Sequence, residues 1–359
     1  MITALVLAAV LAGTAGAEDV GFVAARSVWP DKDLSAWKPL EVRIRSTADG
    51  SLQPAFFHLP TARRPGEKVP LVVFLHTWSC AYTTLDPAAW GINEAEKRGW
   101  AFLYPHFRGP NWTPAACGSD LAVQDIVDAV RWAIAQGDID PDRVYLIGAS
   151  GGGHMALLQA GRHPELWAAV YAACPPADLR RWHAQCLAQP PGNSNRVYAK
   201  NMEDACGGTP EERPDEYARR SSTTYLAGAR DVPIQISTGI HDGHVFRGAE
   251  HSVPPGQSVR CFNLLADPED RIGEDDIAVM EREERVPDPL LFRGKDPFFA
   301  SDALLLSRIS HNVRLTLHSG GHAGNFAAAL AWFERQRRGR PVTWETEGRA
   351  DGPLKEATR

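Results

Sequence analysis

Positive charge is in short supply in this 359-residue chain: 38 Lys and Arg stand against 44 Asp and Glu, a net charge of −6. That balance gives no electrostatic reason to expect nucleic acid or an anionic membrane surface as a partner. The one basic run, Arg335 to Arg340, falls where a helix should end and reads as a solvated terminus. The six cysteines include no CxxC pair, which argues against a zinc site, and the histidines of "HDGH" (241–244) read as loop residues lining the cleft rather than metal ligands; no cofactor is expected. No internal repeat appears. The apolar run that opens the chain, "MITALVLAAVLAGTAGAED", is too short to cross a bilayer, so no stable membrane insertion is expected.

That opening run lacks the usual Lys or Arg ahead of it. It still ends in the small-residue stretch Ala15-Gly16-Ala17 followed by acids, which reads as a secretory signal over residues 1–17 and implies a secreted or periplasmic protein. Export would put Cys80, Cys117, Cys174, Cys186, Cys206 and Cys261 in an oxidising compartment. Disulfides are then expected, with Cys80–Cys117 and Cys206 to either Cys174 or Cys186 as the favoured pairs.

With 44% hydrophobic and 23% charged residues, the rest reads as an ordinary globular chain. Two extended runs around Ala48-Asp49-Gly50-Ser51 predict a hairpin within 41–60. "LVVFLH" (71–76), "WAFLYPHF" (100–107), "VYLIGAS" (144–150), "LWAAVYAA" (166–173), "VPIQISTGI" (232–240) and "VRLTLHSGG" (313–321) are apolar runs of the kind that buried parallel strands need. Helical stretches lie between most of them, including one that Ser119 should cap. The pattern predicts an α/β fold with a mainly parallel eight-stranded sheet and helices on both faces, spanning residues 18–340. Residues 174–225 read as a cap-like insertion, 266–300 as a long acidic loop, and 341–359 as a peripheral tail.

Gly148-Ala149-Ser150-Gly151-Gly152 fits G-x-S-x-G between a strand and a helix. A serine lifted on such a turn is a nucleophile if a base takes its proton and a carboxylate holds that base. Asp242 and His322 follow in the order Ser, acid, His, each just past a late strand, and are the expected partners of Ser150. The Gly151 amide can donate to an oxyanion, with a second donor expected from "LHTWSCAY": the amide of Trp78 or a neighbour, or the hydroxyl of Tyr82 or Ser79. His76, Thr77, His106, Arg108 and Trp112 follow strands on the same side and are candidate substrate contacts, with Asn111 beside them. For Arg108, pairing with a loop carbonyl or carboxylate is favoured slightly over substrate binding. His244, like His241, flanks Asp242 and could line the cleft, whereas His154 and His318 read as structural.

With these residues placed, the chain resembles the α/β-hydrolase superfamily over roughly residues 40–336. "HTWS", "FRGPN", "ACGSDLAVQDIVDAVRW", "GASGGGHMALLQAGRHPELWAA" and "GIHDGH" resemble the catalytic domain of the prolyl oligopeptidase family, especially short members without a β-propeller. "RVYLIGASGGG" and "DAVRWAIAQ" also look similar to feruloyl-esterase and polyhydroxyalkanoate-depolymerase relatives. The resemblance implies an α/β-hydrolase fold and a serine hydrolase with Ser150 as nucleophile, Asp242 as acid and His322 as base, needing no cofactor. The stretch ahead of the catalytic core is too short for a propeller, and "EREE" (281–284) reads as a solvated loop rather than an amine-binding glutamate pair. The expected substrate is therefore a carboxylic ester, on a small molecule or an acylated polysaccharide, with Trp78, Trp112 and Trp182 as stacking surfaces. A prolyl oligopeptidase-like peptidase and an inactive binding protein on the same scaffold are the other readings.

Overall fold

The computed structural model describes residues 40–296, 299 and 303–345. The expected signal segment and most of the expected tail lie outside them. Among the described residues, no helix is long and apolar enough to cross a membrane.

The hairpin is present as β1 (Leu40–Arg45) and β2 (Leu52–His58), antiparallel with Arg45 opposite Leu52. After it come β3 (Val69–Leu75), α1 (Leu85–Arg98), β4 (Ala101–Pro105), α2 (Asp120–Ala135), β5 (Ile139–Ala149), α3 (Gly151–Arg162) and β6 (Ala169–Ala173). Ser119 caps α2, its hydroxyl accepting from the Ala122 amide at 3.1 Å. The insertion forms α4 (Leu179–Ala188), α5 (Val197–Cys206) and α6 (Pro214–Arg220). The chain then returns through β7 (Ile234–Gly239), a two-stranded ribbon of β8 (Val245–Phe246) and β9 (Ala249–Glu250), α7 (Gly256–Leu265) and α8 (Glu274–Glu283). It closes with β10 (Leu304–Ser310), β11 (Val313–His318) and α9 (Phe326–Phe333).

Among the described residues the main sheet has nine strands in the order β1-β2-β4-β3-β5-β6-β7-β11-β10. Strands β4, β3, β5, β6, β7 and β11 run parallel, with an antiparallel strand beside each end of that block. Alternation splits each central strand between two cores: Val144 and Leu146 face one with α2, α3 and α7, while Tyr145 and Ile147 face the other with α1 and α9.

Two expectations about this architecture are corrected. The sheet has nine strands rather than eight because β10 pairs with β11 through a two-residue turn at His311-Asn312, His311 taking a positive φ of 49°. That turn lacks the glycine that would have signalled a hairpin. The acidic stretch 266–300 is not all loop: it contains α8, anchored by buried Ile277 and Met280.

Helices α4 to α6 bring a third apolar cluster against the loop that follows β3, joining Trp78 and Cys117 to Trp182, Cys186, Met202, Cys206 and Tyr217. All six cysteines are free thiols, against the expected disulfides. The fold uses Cys117, Cys186 and Cys206 as buried apolar packing in that cluster and Cys261 in the main core. The basic run after α9 is likewise tied down, Arg337 to Asp140 and Arg338 to Asp142, both near the start of β5.

Candidate active site

Ser150 stands between β5 and α3 with φ 55° and ψ −124°, a conformation that L-residues rarely take. Its amide donates to the Ala173 carbonyl at the end of β6, 2.8 Å away. The turn closes this tightly because Gly148 has no side chain: a Cβ there would stand 2.3 Å from the Gly152 carbonyl oxygen. The serine is 9% exposed, and no hydrogen bond among the described residues joins its hydroxyl to the His322 ring.

Asp242 lies just past β7 and is fully buried. Its Oδ1 accepts from the amides of Gly243 and Val253, both at 3.0 Å, which aims Oδ2 at His322 Nδ1, 2.8 Å away. His322 follows β11, and its own amide donates to His251 Nδ1 at 3.0 Å. Burial opposes a charge on the His322 ring, but the Asp242 carboxylate against it prevails and raises its pKa well above the usual histidine range. The side chain keeps 22% of its surface exposed, so the ring is held from behind by a buried carboxylate and remains open on its other edge.

Three strand ends thus converge. Ser150 leans on Ala173, and the next residue, Cys174, has its thiol in one cluster with Asp242 and His322, their ligand atoms within 4.8 Å of one another. At the start of α3 a Cβ on Gly151 would meet the Trp78 backbone nitrogen at 2.6 Å, so two chain amides sit together beside the serine. Trp78 is fixed there by Asn111, whose amide and Nδ2 both donate to the Trp78 carbonyl, at 2.9 and 3.3 Å, while its Oδ1 accepts from the Cys117 amide.

Several expected substrate contacts are engaged elsewhere. His76 is buried and stacked on Phe107 at 3.8 Å, its ring nitrogens against the carbonyls of Thr77 and His106, and burial lowers its pKa to about 4. It is a neutral core group. Arg108 pairs with Asp125 and Asp49, so the carboxylate reading of that residue holds over the substrate one. Thr77 donates its hydroxyl to the Cys80 sulfur, and Tyr82 reaches Glu41 rather than the serine. His106 is turned against Tyr82, and its Nδ1 is buried without a partner among the described residues. His244 Nε2 lies 2.7 Å from the Glu281 carbonyl. Trp78 and Trp182 are packed edge to face under the cap, whereas Trp112 is 40% exposed.

"EREE" is not the solvated loop expected. Glu284 Oε2 sits 2.8 Å from His241 Nδ1 and Glu281 pairs with Arg260 at 3.1 Å, so α8 braces the loop carrying Asp242. His318 is buried in the wall, with Nε2 3.0 Å from the Ala323 carbonyl. Reading by residue type missed Glu284 and His251 in these bracing roles, and Cys174 beside the ring. Only Asn111 carried a signal, as a polar residue in a loop opening on the cleft.

Residues 89–266 match the prolyl oligopeptidase family. A protein of Aspergillus fumigatus named "Probable acetylxylan esterase A" is 28% identical over 162 residues, covering 39% of this chain and 41% of that protein. Among solved structures, a puromycin hydrolase superposes with a TM-score of 0.51 at 20% identity, over 64% of this chain and 33% of its own. Dipeptidyl peptidase 4 of Porphyromonas gingivalis gives 0.50 at 13% identity, over 82% and 35%. The chain spans less than half the length of these relatives, and at such identities the structural likenesses speak to the fold alone. With a mostly parallel sheet covered on both faces and the match over residues 89–266, the chain has the α/β-hydrolase fold, and that segment is similar to the prolyl oligopeptidase family.

Proposed function

We propose that this chain is an exported serine hydrolase that cleaves carboxylic esters, on acylated polysaccharides or related acyl compounds, through an acyl-enzyme. The observation that carries this reading is the bond between His322 Nδ1 and buried Asp242, set beside a serine in a strained strand-to-helix turn. Asp242 fixes the ring proton on Nδ1 and leaves Nε2 as the base. Ser150 Oγ attacks the acyl carbon as His322 Nε2 takes its proton. The oxyanion that forms is met by the amides of Gly151 and Trp78. The alcohol then leaves with the proton from Nε2, and water, deprotonated by the same nitrogen, releases the acid and frees Ser150.

Ester rather than peptide substrates are favoured by two observations. The Aspergillus fumigatus relative is named for an esterase. The glutamates that could imitate an amine-binding pair, Glu281 and Glu284, are committed to Arg260 and His241. Trp112, exposed on the loop after β4, is available to stack on a sugar or aromatic acyl group.

A fluorophosphonate probe tests the reading. It should label wild-type protein and not Ser150→Ala, and that variant should lose turnover by on the order of a thousandfold or more. Nitrophenyl acetate and acetylated or feruloylated sugars should be cleaved faster than aminoacyl-nitroanilides; the reverse order would make the chain a peptidase, and absent labelling would leave a binding protein. Export predicts a mature N-terminus near residue 18 in protein recovered outside the cytoplasm.

A further inference from the structure

The chemistry just described leaves the Cys174 thiol unused. Cys174 follows β6 with φ 47°, a left-handed conformation that usually goes to glycine or asparagine. Its side chain lies near the His322 ring, and Sγ donates to the Ala323 carbonyl at 3.2 Å. One ligand atom from each of Cys174, Asp242 and His322 lies within 4.8 Å of the other two. These residues come from the ends of β6, β7 and β11, so no sequence spacing announces the group.

A sulfur, an imidazole nitrogen and a carboxylate oxygen form a donor set that suits zinc and not magnesium or calcium, which want oxygen alone. Tetrahedral Zn²⁺, at about 2.3 Å from sulfur and about 2.0–2.1 Å from nitrogen and oxygen, sets its ligands about 3.4–3.6 Å apart. The three ligand atoms lie within 4.8 Å of one another, so on a metal the Nδ1–Oδ2 pair, now 2.8 Å apart, would open while the sulfur draws in. Cys174 and Asp242 are buried while His322 is partly exposed, so the metal would sit on the buried side of the ring, with a water as its fourth ligand.

We propose that Cys174, Asp242 and His322 form an inhibitory site for Zn²⁺. Binding itself does not depend on the catalytic reading, whereas its effect on turnover rests on His322 being the base. The thiol proton leaves to solvent, and the thiolate exchanges its bond to Ala323 for the metal. Zn²⁺ takes the lone pair of Nδ1, so the proton of the neutral ring resides on Nε2. A ring protonated there has no lone pair for the Ser150 hydroxyl, and hydrolysis stops until a chelator removes the metal.

Chelator-stripped protein titrated with ZnCl₂ in a calorimeter should take up one Zn²⁺ per chain. CoCl₂ in its place should give the near-ultraviolet absorption of a thiolate–Co²⁺ bond. Ester hydrolysis should fall with Zn²⁺ and return with EDTA. Cys174→Gly tolerates the positive φ, and Cys174→Ser keeps a small polar group; each should lose Zn²⁺ affinity on the order of a hundredfold or more. Both should also lose the absorption band and the zinc sensitivity of their own metal-free rates. No Zn²⁺ uptake, or uptake undiminished in Cys174→Gly and without the band, would overturn the site. Uptake with the band in a protein that hydrolyses nothing would uphold the site and refute the catalytic reading instead.

Discussion

The backbone nitrogen of Trp78 lies 2.6 Å from where a Cβ on Gly151 would stand, so the start of α3 and the loop after β3 touch through main chain alone. Two amides this close can serve one oxyanion only while position 151 has no side chain. Gly151→Ala must push the Trp78 loop away. Loss of one such donor costs on the order of 10²–10³ in kcat. Steady-state kinetics on an ester substrate, with thermal melting to confirm that the variant is folded, checks this. A folded variant with wild-type kcat would remove these amides from the mechanism.

The pairing of Asp242 with His322 sets the direction of the pH dependence. Burial works against the imidazolium, but the adjoining carboxylate outweighs it, so the ring holds its proton above the usual histidine range. A base must be unprotonated to act, so kcat/KM should rise with pH through a midpoint above that range. Asp242→Asn removes the charge and the tautomer control together. Its acid limb should shift down in pH while the rate falls about 10⁴-fold. A limb that stays in place would mean another group titrates.

The meeting of Asp242 with His322 was legible in the sequence because each follows an apolar run that can only be a buried strand, and strand ends on one side of a parallel sheet converge. The G-x-S-x-G turn was legible for a local reason, the need for small residues where β5 turns into α3. What escaped was whatever depends on contacts between distant segments. Structural pairing of Arg108 was readable, but not that Asp49 and Asp125 are its partners. Glu284 looks like surface charge until α8 folds back onto His241. The cysteines misled for a different reason: a signal-like start suggested pairing, while the fold buries Cys117, Cys186 and Cys206 as small apolar side chains. Strand β10 was missed because its turn carries His311-Asn312 rather than a glycine pair.

Asn111 offers a test of how rigidly the oxyanion site must be held. It is fully buried and makes three bonds: two to the Trp78 carbonyl, from its amide and Nδ2, and one from the Cys117 amide to its Oδ1. Asn111→Ala keeps the backbone bond but frees the side-chain half of the clamp and leaves the buried Cys117 amide unpaired. The stability cost should be about 1–3 kcal/mol, the usual penalty for a stranded buried donor. In the proposed mechanism the Trp78 amide meets the oxyanion and not the resting substrate, so kcat should fall on the order of 10²-fold while KM moves little. Asn111→Asp keeps an acceptor for Cys117 but offers Trp78 no side-chain donor, so it should recover part of the stability and none of the rate. A variant pair in which rate simply follows stability would reduce Asn111 to a packing residue.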